Sequence, residues 1–178
     1  VIDLTLGDPD VMPNEGIRKA AANAIMEGKT RYSANAGLIN VRSEIANMFS
    51  DEYKVEINPA TNMVMTVGGM EALFLALATI INDGDEVIIQ APYYVNYVQM
   101  VRMCGGIPVL IETKEENNFS FTIEEVEKRI TPKTVAMILN TPCNPTGQVL
   151  NGILLDELAA LFIQKDILVI SDEVYRTL

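Results

Sequence analysis

Short apolar runs rich in Val, Ile and Met alternate along this chain with segments whose apolar residues recur at helical spacing. The runs lie at Met63–Val67, Glu86–Ile89, Ile107–Ile111, Thr134–Leu139 and Ile167–Ser171, each bounded by Gly, Pro, Asn or Asp. Runs of that length and composition predict buried strands. Between them, Glu71–Ile81, Tyr94–Met103, Ile123–Ile130 and Ile153–Gln164 predict helices. Alternation of this kind needs right-handed crossovers. It gives an α/β fold, a three-layer αβα arrangement with a mainly parallel sheet covered by helices on both faces.

Upstream, Asn14 is placed to cap a helix carrying Ile17, Ala21, Ala24 and Ile25 on one face before Gly28 stops it. Leu38 to Phe49 gives a second amphipathic helix, and both are expected to pack against the sheet. Arg42 and Glu44 read as its solvent face. No linker divides residues 1–178, which predict a single domain with about 1–13 as a leading segment.

Composition narrows the function classes. With 178 residues, 49% of them hydrophobic and 21% charged, the chain can bury a substantial core. A formal net charge of −11 would repel nucleic acid and anionic membranes, so a small-molecule partner is expected. The longest apolar stretch, around Ala72 to Ile81, is too short to span a bilayer. Two cysteines, Cys104 and Cys143, argue against a disulfide framework and for a reducing, cytoplasmic setting. The absence of histidine from this sequence excludes a Ser-His-Asp triad and any imidazole acid or base within it.

In open parallel sheets ligands bind outside the carboxyl ends of the strands. Four predicted strand ends carry polar devices. Gly68-Gly69-Met70 opens a helix, where backbone amides and the macrodipole suit an anion, although a plain tight turn would use the same residues. Pro92-Tyr93-Tyr94 offers a ring for stacking or simply for packing, and Tyr97, one helical turn beyond Tyr93, reads as packing support. Asn140-Thr-Pro-Cys-Asn144-Pro-Thr-Gly147 is a stiff loop whose asparagine can donate and accept. Asp172 ends an apolar run and needs a partner: a cationic ring nitrogen, a helix cap or an ion pair. Glu173 points the other way and reads as structural, and Tyr175 follows Asp172 by three positions.

Together, from Leu4-Thr-Leu-Gly7-Asp-Pro through Tyr175, these motifs resemble the class I/II aminotransferases, pyridoxal-phosphate enzymes of the aspartate aminotransferase fold. The resemblance implies the cofactor-binding large domain, truncated and without the small carboxyl-terminal domain. It implies transfer of an amino group between an amino acid and a 2-oxo acid by a homodimer using pyridoxal 5′-phosphate. On that resemblance Gly68, Gly69 and Met70 offer amides to the phosphate, and Tyr94 stacks on the pyridine ring. Asp172 holds the ring nitrogen protonated, while Asn144 and Tyr175 hydrogen-bond the ring 3-oxygen. Asn144 and the backbone at Gly7 lie near the substrate carboxylate, and Tyr32 reaches a phosphate across the dimer interface. Cis peptides before Pro92 or Pro145 are also suggested.

The family's Schiff-base lysine and carboxylate-gripping arginine fall beyond Leu178, and no lysine present matches. The chain therefore reads as a piece of a longer protein that cradles a cofactor without itself transaminating. A lyase or decarboxylase of the same fold, or a non-catalytic α/β binding module, are the alternatives.

Overall fold

A computed structural model describes Gly7 and residues 11–177. The Leu4–Leu6, Asp8 and Pro9 positions of the first motif, and most of the 1–13 segment, lie outside the described residues. The chain forms two compact units, Val1–Met65 and Thr66–Leu178.

The first unit carries α1 (Glu15–Met26) and α2 (Ile39–Tyr53). Asn14 caps α1 as predicted, its side chain accepting from the Gly16 amide at 2.8 Å. Ile17 and Ile25 on its apolar face are exposed.

A departure from the sequence reading lies in α2. Arg42, read from the sequence as a solvent-facing charge, is buried beside Ala46, one turn further along the same face. Its Nη1 donates to the Pro59 carbonyl at 2.5 Å, with longer contacts to Ala60 O at 3.5 Å and Met63 O at 3.4 Å. A guanidinium has several donors in a rigid fork and can tie a loop that offers only carbonyls. Arg42 thus pins the segment 59–63 to the helix.

That segment leads into Met63–Val67, which the sequence predicts as a strand and the structure leaves as irregular chain. A strand exists through its ladder, and among the described residues Met65 is tied only by its N–H to the Ala36 carbonyl at 3.0 Å. Nearby Gly37 has φ +87°, and a Cβ there would sit 2.6 Å from the Met65 side chain. Gly37→Ala is therefore expected to destabilise this unit by about 1–2 kcal/mol. Urea unfolding of the purified protein checks this, and an unchanged midpoint would contradict the crowding.

The second unit is the α/β layer stack. Its elements run α3 (Gly69–Ile80), β1 (Glu86–Ala91), α4 (Asn96–Met103), β2 (Ile107–Glu112), α5 (Ile123–Glu127), β3 (Thr134–Asn140), α6 (Gly152–Lys165) and β4 (Leu168–Asp172). The four strands are parallel in the order β2-β1-β3-β4. Side chains alternate across the sheet because the strand repeat is two residues. Val87, Ile89, Ala136 and Ile138 pack with Leu73 and Leu77 of α3 and Val98 and Val101 of α4. Ile88, Ile111, Met137 and Leu139 pack on the other face with Val126 of α5 and Leu154, Leu158 and Phe162 of α6.

The central strands β1 and β3 are buried almost throughout, in keeping with their near-continuous apolar sequences. β4 is not the buried strand the sequence predicts, since Leu168 and Val169 are exposed on an edge flanked only by β3 among the described residues. Helix α5 stops at Glu127, short of the predicted Ile130. Capping at its start works as its sequence implies: Thr122 and Glu125 bond each other's backbone amides.

Candidate cofactor site

Every polar device that the sequence places at a strand end in the second unit lies at the carboxyl edge of the sheet. There Gly69, Met70, Tyr94, Tyr97, Asn140, Asn144, Asp172 and Tyr175 line one cavity of about 240 Å³. This is below the roughly 300–1,000 Å³ of sites for drug-sized ligands and suits a single substituted ring.

Register creates the site's centre. β3 and β4 pair in parallel so that Asn140 stands opposite Asp172, bringing two residues far apart in sequence side by side. Asn140 Nδ2 donates to the Asp172 carbonyl at 3.0 Å, and its Oδ1 accepts the Asn144 amide at 2.7 Å. The buried Asn140 therefore locks the start of the proline loop onto the end of β4. Within that loop the Gly147 amide reaches Cys143 O at 2.7 Å and the Cys143 amide reaches Gln148 O at 2.9 Å. The peptides before Pro92 and Pro145 are cis, as the resemblance suggests, and so is that before Pro142. Asn144 is held with its amide toward the Tyr175 hydroxyl, 3.4 Å away.

Asp172 is half-buried and held from two sides. Its Oδ1 accepts the Val174 amide at 3.2 Å and its Oδ2 accepts the Tyr97 hydroxyl at 2.6 Å. The chemistry of that second bond is one-sided. Burial, reinforced by the hydrogen bond to Asp172, pushes the Tyr97 phenol far above its usual range, so it stays protonated and donates. Glu173 accepts the Ser171 hydroxyl at 2.9 Å and is not among the residues that line this cavity.

Tyr94 lines the same cavity. Asn96 Nδ2 donates to its hydroxyl at 2.9 Å and approaches the Met70 sulfur at 3.4 Å, so the first residue of α4 ties the ring to the start of α3. At that start Gly68 has φ +83°, a conformation that favours glycine, and a Cβ on Gly68 or Gly69 would meet nothing within 4 Å. The Glu71 carboxylate takes the Val67 amide. The first amides of α3 have no carbonyl within the helix and open outward.

Two residues now in the site carried no site role in the sequence reading. Asn140 was legible only as the edge of a motif. Tyr97 was read as packing, and it does sit in the core. A fully buried phenol nevertheless needs a partner for its hydroxyl, and that requirement was the available signal. Gly7 and Tyr32 belong to the other compact unit, where both are exposed. Lys133 and Lys165 precede β3 and β4 at the amino-terminal edge, away from the cavity.

The profile of the family described as "Aminotransferase class I and II" matches residues 1–178. The chain belongs to this family. Among class I and II relatives, aromatic-amino-acid aminotransferase 2 of Thermococcus litoralis is 40% identical over 99% of this chain and 45% of its own length. The aspartate/prephenate aminotransferase of Thermus thermophilus is 40% identical over 100% of this chain and 46% of its own. A solved aspartate aminotransferase from Thermotoga maritima superposes with a TM-score of 0.96 at 36% identity, covering 100% of this chain and 47% of that one. The fold is thus that of the aspartate aminotransferases, and the chain spans about 45% of the length of the curated relatives it matches.

Proposed function

We propose that this chain is the cofactor-cradling part of an enzyme that moves an amino group between an amino acid and a 2-oxo acid with pyridoxal 5′-phosphate. The observation that carries the reading is the meeting, in one cavity at a helix start, of an anchored carboxylate, a phenol, an amide and an aromatic ring. That donor set fits the cofactor group by group. Gly68, Gly69 and Met70 would hold the phosphate with backbone amides, and Tyr94 would lie against the ring. Asp172 would accept a hydrogen bond from the protonated ring nitrogen and so keep the proton on it, while Asn144 and Tyr175 would bond the 3-oxygen. When bound, the protonated ring supplies an electron sink for loss of the substrate α-proton.

Asn144 and the backbone at Gly7 are our candidates for contacting the substrate carboxylate. Tyr32, whose side chain is wholly exposed, suits a contact with a second subunit, and we assign the protein a homodimer on that basis. The two unpaired cysteines support a cytoplasmic setting.

The test is direct. The full protein carrying this chain is expected to bind pyridoxal 5′-phosphate, show a visible absorbance band, and lose that band when an amino-acid donor is added without a 2-oxo acid. A colourless protein that transfers no amino group from any donor in a broad screen would overturn the reading.

A further inference from the structure

The Tyr97 side chain touches two other residues that line the cavity, Asp172 and Tyr94. Its hydroxyl is 2.6 Å from Asp172 Oδ2, and its ring meets the Tyr94 ring edge to face, with centroids 5.5 Å apart and planes at 74°. It is 2% exposed and packed among the side chains of α3, α4, β1 and β3, so it has no freedom to follow a ligand. Oδ1 of the same carboxylate is held by the Val174 amide. With one bond on each oxygen, the plane of the Asp172 carboxylate is set before any ligand arrives, and its remaining lone pairs face the cavity.

We propose that Tyr97 is a positioning residue for the cofactor ring, holding the Asp172 carboxylate in the orientation that receives the ring nitrogen while its own ring edge sets the tilt of Tyr94. The assignment rests on the cofactor reading above and adds a residue to it. Tyr97 touches no ligand itself: it acts through Asp172 on the nitrogen and through Tyr94 on the ring face. Its two contacts are separable, because phenylalanine keeps the edge-to-face ring and the core volume while removing only the hydroxyl.

The experiment uses the full protein and two probes, pyridoxine 5′-phosphate and its analogue in which the ring nitrogen is a C–H. An alcohol replaces the aldehyde in both, so no lysine captures them covalently, and dissociation constants are read by calorimetry. Tyr97→Phe is expected to weaken the nitrogen-containing probe about 3- to 10-fold, the effect of one charge-assisted orienting bond, and to leave the carbon analogue within about twofold. In an Asp172→Ala background Tyr97→Phe should change neither. Tyr97→Leu, which also removes the ring edge, should weaken both probes.

Equal losses for both probes in Tyr97→Phe, no loss for either, or the same loss with and without Asp172 would each overturn the assignment. So would a Tyr97→Phe protein that fails to fold, since the hydroxyl would then be a stability element first. Failure of the unsubstituted protein to bind pyridoxine 5′-phosphate would instead strike the cofactor reading itself.

Discussion

Asp172→Ala lowers amino transfer by the full protein about 100- to 1000-fold, the usual loss when a fixed charge facing a developing one is removed. The expectation follows from where the carboxylate stands. It ends β4, its two oxygens are bonded by Val174 N–H and Tyr97 O–H, and it lines the same cavity as the ring of Tyr94. On the cofactor reading proposed above, Asp172 would keep a ring nitrogen placed against it protonated at neutral pH, and without Asp172 that nitrogen would lose its counter-charge and the ring would withdraw electrons poorly.

Alanine also leaves the buried Tyr97 hydroxyl without its acceptor, at a cost of about 1–3 kcal/mol, which a folded domain with its core intact should survive. Asp172→Asn separates the two effects. It keeps an acceptor for Tyr97 and the side-chain volume but carries no charge, so it should match alanine in lost turnover and the unsubstituted protein in melting temperature. Steady-state rates beside circular dichroism read both, and undiminished turnover in the asparagine variant would remove the charge from the mechanism.

Arg42→Ala is expected to cost about 1–3 kcal/mol, because it removes a buried guanidinium and with it the donor to a part-buried set of backbone carbonyls. The bond to Pro59 O is short and the contacts to Ala60 and Met63 are longer, so the Pro59 carbonyl should carry most of the loss. The damage should be local to the first compact unit. Limited proteolysis is expected to cut near 54–65 in the variant well before the unsubstituted protein, with a lower melting temperature. Arg42→Lys should recover part of the loss, since an ammonium reaches one carbonyl but cannot fork across a loop. An alanine variant with unchanged melting and cleavage would show that the loop holds itself.

Arg42 and Tyr97 show the same limit of sequence reading from opposite sides. A charge on an amphipathic helix is ordinarily solvated, and a tyrosine on the apolar face of one is ordinarily filler. What reverses each reading is a partner far along the chain: the Pro59 carbonyl 17 positions away for Arg42, and Asp172 75 positions away for Tyr97. Residues whose role depends on strand ends were legible, because an apolar run that stops at Asn140 or Asp172 announces its end locally. The Met63–Val67 run failed for a related reason: its composition suits a strand, but strands are made by ladders.

Apart from the Met63–Val67 run, the order of strands and helices, their parallel pairing, the glycine-led start of α3 and the candidacy of Asn144, Asp172 and Tyr175 all follow from the sequence alone. Hydrophobic period and punctuation are local properties of the chain. Tertiary structure decided that β3 and β4 pair in the register that sets Asn140 beside Asp172, and that Tyr97 spends its hydroxyl on that carboxylate. Register and side-chain partnership are settled by packing between distant segments, and no local pattern encodes which buried donor will find which acceptor.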